Sequence, residues 1–143
     1  MNTENPKTLL EIFTDPQKTD EVTIRLDYIP KTSELSLNKR TGIYGSRPAE
    51  KKAKEEAYYA CSSSGIPEEP FEQASLHVKF RSKNKKWPRV DIDNLNSTMK
   101  YFIDGFVQAG VLPDDSVKHL RETHSEYEIL AETNETIITM KRL

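Results

Sequence analysis

Cysteine is almost absent from this sequence, and that scarcity already limits what the protein can be. The single Cys61 cannot form an internal disulfide bond, which favours a reducing cytoplasm. No apolar run is long enough to span a bilayer, and the first residues lack the basic and apolar segments of a secretory signal. We therefore expect a cytoplasmic protein that makes no use of a membrane.

Two common kinds of site are also missing. The sequence has no glycine-rich phosphate loop and no Cys/His spacing of the kind that binds zinc. We therefore expect neither a zinc site nor a small-molecule cofactor.

The composition is that of an ordinary globular protein. The chain has 143 residues, of which 35% are hydrophobic and 31% are charged. That length supports one domain with a real core and is short for two domains. We predict a single domain over residues 1–143, in which residues 1–20 form an N-terminal extension.

Hydrophobic patterns predict the order of the helices and strands. Alternation of apolar and polar residues predicts strands at 21–29 and 76–81, and we expect two more strands at about 120–130 and 136–140, with ETNET as the turn between them. A stripe of alanines predicts a helix from Ser46 to about Cys61, and a second apolar stripe predicts a helix from near Asp93 to Gly110. The order β-α-β-α-β-β predicts an α+β domain in which two helices pack on a small mixed sheet.

Positive charge is concentrated in two segments, although the net charge is only −2. Residues 77–89 contain six cations and no acid, and a second basic group occupies a glycine-containing loop. Such segregation is typical of a protein that holds a polyanion, and a solvated surface is the alternative interpretation. The residues that we predict to contact nucleic acid are Lys39, Arg40, Arg47, Lys79, Arg81, Lys83, Lys85, Lys86 and Arg89.

Aspartates flank the second predicted helix at both ends. Asp91 and Asp93 precede it, and the pair Asp114–Asp115 follows it. Two carboxylates about 4 Å apart repel by ~1 kcal/mol even in water, so a cluster of them is not explained by stability. A hard divalent cation removes that penalty, and carboxylate oxygens suit Mg²⁺. If the chain folds back, Asp91, Asp93 and Asp115 are candidate ligands for a Mg²⁺ that activates water against a phosphodiester.

The segment DIDNLNSTMKYFIDGFVQAGVLPDD, residues 91–115, resembles the signature of the RusA family of Holliday junction resolvases, which is common in bacterial prophages. That pattern is D-x-D-N-L, a lysine, a D-[AG]-L-like turn of helix and a D-D pair. The SLNK at 36–39, the basic stretch and the order of elements are also similar, so the resemblance extends over about residues 21–140.

The resemblance implies a RusA-like fold and a homodimeric, Mg²⁺-dependent endonuclease in the bacterial cytoplasm, with Mn²⁺ as a substitute metal. Such an enzyme introduces paired symmetrical nicks in four-way DNA during recombination and repair. By position, the acidic metal ligands of the family fall on Asp91, Asp93 and Asp115.

The lysine of the pattern has two candidate positions. Better-known members carry it four residues after the second aspartate, where this chain has Ser97. Counted back from Asp104 and the aspartate pair, Lys100 takes the family position instead. Ser97 and Lys100 share one edge of the predicted helix and differ by about 4.5 Å along its axis. A lysine side chain leans toward the N-terminus of its helix, so we expect Lys100 to be the catalytic lysine.

Three alternatives to a strict junction nuclease remain at this point. The first is a branched-DNA or flap nuclease of looser specificity, and the second is a branched-DNA-binding protein that has lost the chemistry. The third is an interaction protein unrelated to DNA. Convergence of the three aspartates carries one more expectation, that Asp115→Asn raises the melting temperature of the metal-free protein because it removes a repelling charge.

Overall fold

The structure, a computed structural model, describes residues 19–35 and 47–143. Within these ranges the chain forms a small α+β domain with a four-stranded mixed sheet, as the sequence predicts. The elements are β1 Glu21–Leu26, α1 Thr32–Leu35, α2 Arg47–Ser64, β2 Ala74–Arg81, α3 Ile92–Ser97, α4 Lys100–Gln108, β3 Leu120–Glu128 and β4 Glu135–Arg142. The observed order therefore differs from the predicted one by the one-turn α1 and by the division of the second helix into α3 and α4.

The sheet has the strand order β1-β4-β2-β3. Strand β4 is antiparallel to both of its neighbours, whereas β2 and β3 are parallel. A parallel pair needs a long crossover, and here residues 82–119, which include α3 and α4, supply it. Within this crossover Asp91 directly precedes α3 and Asp115 follows α4, on the segment that returns the chain to the sheet.

The core lies on one face of the sheet, under α2 and α4. Alternate residues of three strands point into it, and the apolar stripe of the second predicted helix meets them. The other face of the sheet carries polar and charged side chains. The buried strand residues are Val22, Ile24, Leu26, Leu76, Val78, Phe80, Ile138 and Met140, and the buried helix residues include Leu95, Met99, Phe102, Phe106 and Ala109.

Helices α2 and α4 approach closely because small residues line their contact. Ala53 and Ala57 of α2 are buried, and Gly105 of α4 faces them. A Cβ atom at Gly105 would lie 2.5 Å from the Cβ of Ala57 and 2.6 Å from the backbone oxygen of Lys54. Glycine is therefore required at this crossing. Cys61 is also buried, and burial raises the pKa of its thiol to about 12.

The second predicted helix is interrupted at Thr98 and Met99. Their backbone N–H groups donate to the carbonyls of Leu95 and Asn96, three residues back, instead of four. The Thr98 hydroxyl also donates to the Leu95 carbonyl at 2.5 Å, a contact that a β-branched hydroxyl residue favours and that apolar periodicity does not reveal. Both residues keep right-handed helical angles, so the interruption tightens the helix without reversing the chain.

Helix α4 ends as the sequence predicts. Gly110 has φ +86°, the left-handed conformation of a helix C-terminus, and its N–H donates to the Val107 carbonyl. Val111 and Leu112 then enter the core and fix the start of the segment that carries the two aspartates. In the described part of the chain, no helix has both the length and the apolar character that crossing a bilayer demands.

Candidate functional site

Asp91 and Asp93 lie at the start of α3, on its solvent side. Asp91 is the N-cap residue with extended angles, yet its side chain makes no capping hydrogen bond. Asp93 occupies the first turn, and both side chains are exposed. The helix beneath them is held by the buried Leu95 and by Asn96, whose side-chain oxygen accepts a 2.5 Å hydrogen bond from Ser125 of β3. Two carboxylates are thus presented outward from an anchored turn.

Lys100, at the start of α4, contacts two aspartates. Its Nζ atom lies 2.7 Å from Oδ2 of Asp115 and 3.1 Å from Oδ1 of Asp104. The hydrogen bond to Asp115 is the main cause of a raised pKa for the Lys100 ammonium, and Asp104 adds to it. One ammonium and two carboxylates leave this cluster with a net negative charge. The sequence pattern had set Lys100 and Asp115 as parts of one site, and the structure brings these two together.

Ser97, the other candidate for the lysine position, is occupied differently. Its hydroxyl donates to the backbone carbonyl of Asn94 at 2.8 Å, within its own helix. The Ser97 side chain therefore serves the α3 turn. Of the two candidates for the lysine position, Lys100 is the one that contacts the Asp114–Asp115 pair.

The two members of that pair have different surroundings. Asp114 accepts a 2.8 Å hydrogen bond from the backbone N–H of Ser116, which closes a turn. A hydrogen bond from the Ser116 side chain, followed by the one from its backbone N–H, lowers the pKa of the Asp114 carboxyl. Its other oxygen lies 3.8 Å from Nε2 of the buried His119, whose Nδ1–H donates to the Glu72 carbonyl at 2.7 Å. Asp114 therefore stabilises the turn after α4, whereas the Asp115 side chain contacts Lys100.

The donor chemistry of the predicted metal ligands fits Mg²⁺, because all three are carboxylates. The three residues do not, however, lie together in the structure. Residues 19–35 and 47–143 contain no group of three or more His, Cys, Asp or Glu side chains arranged to hold a metal ion. Asp115 contacts an ammonium, and Asp91 and Asp93 stand at the helix entrance. The structure thus places Asp115 and Asp104 on either side of the Lys100 ammonium, and does not gather the three predicted ligands into one group.

The predicted DNA-contacting residues of β2 are neutralised by acids on neighbouring strands. Arg81 contacts Glu128 of β3 at 3.0 Å and Glu135 of β4 at hydrogen-bond distance, and Lys79 lies 3.7 Å from Glu128. The contact with Glu135, followed by that with Glu128, raises the pKa of Arg81. These two cations belong to a face of the sheet on which glutamates offset their positive charge, so this face has little net positive charge with which to bind a polyanion.

Four more of the predicted DNA-contacting cations lie in the segment that connects β2 to α3, which we call the basic loop. Its first residues are fixed, since the backbone N–H of Lys83 donates to the Asn134 side chain at 2.8 Å. Its four cations are exposed, and no carboxylate of the described residues forms an ion pair with them. The members are Lys83, Lys85, Lys86 and Arg89. Of the other predicted contacts, Lys39, Arg40 and the side chain of Arg47 lie outside the described residues.

Sequence reasoning had left two participants without a role. Asp104 was part of the helical pattern, and its contact with Lys100 could have been anticipated from the i,i+4 spacing. His119 gave no signal in the sequence, because its partners are a loop carbonyl and an aspartate five residues away.

A scan against models of known protein families finds no match for this chain, and a search of curated proteins also finds none. The resemblance to the RusA family therefore rests on the residues of the sequence pattern.

Proposed function

We propose that this chain is a Mg²⁺-dependent endonuclease that resolves four-way DNA junctions by paired nicks, as enzymes of the RusA family do, and that it acts as a homodimer in the bacterial cytoplasm. The observation that carries the proposal is the contact of Lys100 with Asp115, a lysine and an aspartate that the pattern assigns to one site.

This contact supports a chemical role better than a structural one. The side chains of Lys100 and Asp115 are each 42% exposed. An ion pair with that exposure contributes only about 0–1 kcal/mol to stability. Stability therefore does not explain why two carboxylates surround one ammonium. Binding of a metal cation by the carboxylates and of a phosphate by the ammonium would explain it.

The proposal requires that Asp91, Asp93 and Asp115, which are not one group in the described structure, come together to hold the divalent cation. A Mg²⁺ ion held there would supply polarisation of the phosphodiester and a lowered pKa for an attacking water. The ammonium of Lys100 is positively charged at neutral pH and is able to donate to a non-bridging phosphate oxygen. Its charge would offset the negative charge that grows on the phosphate in the transition state. To do so, Lys100 must release Asp115, and this exchange of partners frees an aspartate oxygen at the same time.

The basic loop would hold the DNA backbone beside these groups. It leads directly into α3, so Arg89 is followed within four residues by both Asp91 and Asp93. Cations without carboxylate partners bind phosphates by releasing counterions, which makes the affinity strongly dependent on salt. A phosphate held by the loop would thereby lie near the start of α3.

The homodimer follows from the paired nicks. Two symmetrical cuts in one junction need two copies of the site, and each chain carries one. Sedimentation at a series of concentrations should give a dimer, and a monomer at every concentration would remove this part of the proposal.

A second candidate is a branched-DNA-binding protein without catalysis. The observation in its favour is that Asp115 is engaged by Lys100 and that no three-acid group is present among the described residues. Such a protein would bind a junction equally well with and without Mg²⁺ and would leave it intact.

One experiment separates the two candidates. A labelled four-way junction is incubated with the protein, with Mg²⁺ or with chelator, and both retention and cutting are measured. We expect binding in both conditions and cutting only with Mg²⁺. Binding without cutting at any Mg²⁺ concentration would favour the non-catalytic candidate, and failure to bind at low salt would exclude both.

A further inference from the structure

A cleft lined mainly by apolar side chains opens beside the basic loop, between that loop and residues 29–33, which follow β1 and add the polar Lys31, Thr32 and Ser33 to the lining. Its two adjoining parts enclose about 300 Å³ and about 190 Å³. A volume of roughly 300 Å³ is at the lower end of the range for ligand-binding pockets. Both parts share four residues, and Trp87 stands at the rim. We call it the aromatic cleft; its lining includes Pro30, Trp87, Pro88, Val90, Leu95 and Tyr127.

Three aromatic rings lead from the core to this cleft. The buried Phe80 ring lies 6.4 Å from the Tyr127 ring, which lies 6.2 Å from the indole of Trp87. The inner end is fixed by the core, while Trp87 is 67% exposed. A large aromatic side chain in this position leaves a broad apolar surface in water and gains little from packing. The indole is a supported platform with room for another flat ring.

The charge around Trp87 identifies what would stack there. Lys85, Lys86 and Arg89 all lie within two residues of it, and no carboxylate of the described residues pairs with them. An apolar protein segment would gain little from three cations that lack a carboxylate partner among the described residues. A nucleic acid strand gains from both features, because its phosphates meet cations while its bases have flat faces that stack on aromatic rings.

We propose that the aromatic cleft binds one unstacked nucleobase, with its face against Trp87 and the adjacent phosphates against Lys85, Lys86 and Arg89. This inference rests on the proposed action on DNA and specifies how branched DNA is distinguished from duplex. In a continuous duplex every base is already stacked, whereas a branch point supplies bases that have lost a neighbour. Leu95 lines the cleft from α3, the helix that carries Asp93, so a base in the cleft would also fix the strand relative to the acidic residues.

The test uses the fact that Trp87 is the only tryptophan of the chain. Indole emission and affinity are measured with two DNAs at equal salt, a duplex with one unpaired adenine and the same duplex fully paired. We expect saturable quenching of the emission by the first DNA and little by the second. Base stacking on an aromatic ring is typically worth a factor of roughly 5 to 150 in affinity, so Trp87→Ala should weaken binding of the unpaired-base DNA by that factor. The same change should leave duplex binding near the wild-type value, and Trp87→Phe should retain part of the preference.

Two control variants isolate the stacking. Tyr59→Ala removes an aromatic ring of similar exposure, 65%, from α2, and should change neither affinity. Lys86→Ala should weaken binding of both DNAs by equal factors. Equal effects of Trp87→Ala on the two DNAs, or no quenching by the unpaired base, would overturn the base-binding cleft. Junction cutting by the wild type, assayed in parallel, shows whether the proposed function survives that result; binding of neither DNA would overturn both.

Discussion

The ammonium of Lys100 and the carboxylate of Asp115 meet at 2.7 Å, although 15 residues separate them. The crossover between two parallel strands produces this contact, because it carries the chain through α3 and α4 and returns it to the sheet. The relationship joins two parts of the sequence pattern, the lysine inside the helix and the aspartate pair beyond it.

The first prediction concerns the position of the lysine. Lys100→Ala should lower the rate of junction cutting roughly a hundredfold, the usual effect of removing a group that stabilises transition-state charge. Ser97→Ala should cut at nearly the wild-type rate, because the Ser97 hydroxyl bonds to its own helix. Single-turnover cutting of a labelled junction measures both. A larger loss of activity for Ser97→Ala would show that the functional position lies four residues after Asp93, at residue 97. Ser97→Lys would then be the variant to examine.

The second prediction reverses an expectation from the sequence. Repulsion among three aspartates would make Asp115→Asn a stabilising change, but the contact with Lys100 means that this change removes an attraction. For a half-exposed pair we expect a loss of about 0.5 kcal/mol, or a fall of roughly 1–2 °C in the melting temperature without metal.

The metal dependence of the same variant tests the role of Asp115. A cation that binds only the folded protein raises its melting temperature by mass action, and loss of a ligand reduces this effect. Mg²⁺ or Mn²⁺ should therefore stabilise the wild type more than Asp115→Asn. Glu69→Gln, in the exposed loop between α2 and β2, is the control and should respond as the wild type does. Equal metal responses of all three proteins would exclude Asp115 as a ligand.

The third prediction concerns the packing of α2 against α4. Gly105→Ala places a methyl group within 2.6 Å of two atoms of α2, so the helices must separate. Overpacking of this kind typically costs about 1–3 kcal/mol, which should appear as a lower midpoint in urea. Gln108→Ala, an exposed change on the same helix, should leave the midpoint unchanged or slightly higher. A midpoint for Gly105→Ala equal to that of the wild type would mean that the two helices pack less closely than described.

The fourth prediction divides the cations between two surfaces. Replacing Lys85 and Lys86 with alanine should lower the dependence of DNA affinity on salt by nearly two counterions, since each phosphate contact contributes about 0.9 to the slope. Replacing Lys79 and Arg81 should change that slope little, because glutamates already neutralise them. The measurement is the slope of log affinity against log salt for each double variant. The opposite ranking would place the DNA on the open face of the sheet.

Much of the fold follows from local patterns. Alternation in β1, β2 and β4 and the stripe of Leu95, Met99 and Phe102 correctly predict which side chains are buried, because burial of one face is a property of the element itself. The interruption at Thr98 was not predictable in this way, since it depends on a side-chain hydrogen bond that leaves the apolar period unchanged.

Less of the site could be predicted. The run of cations before Asp91 predicts a basic surface, but Arg81 meets Glu128 and Glu135 only through the pairing of strands that lie far apart in the sequence. The contact of Asp115 with Lys100 is more local, since only α4 and the segment after it separate the two residues. The sequence predicts which charged residues lie on the surface. The register between strands determines which of these charges meet an opposite charge.

The most direct measurement is the cutting of a labelled four-way junction by Asp93→Asn and by wild type, at equal occupancy of the junction and in the presence of Mg²⁺. If Asp93 belongs to a catalytic metal site, the wild type introduces nicks at symmetrical positions in two strands, and the variant binds the junction without cutting it. Nicks at the wild-type rate from Asp93→Asn, or an intact junction with both proteins, would contradict the assignment of these residues to a nuclease site.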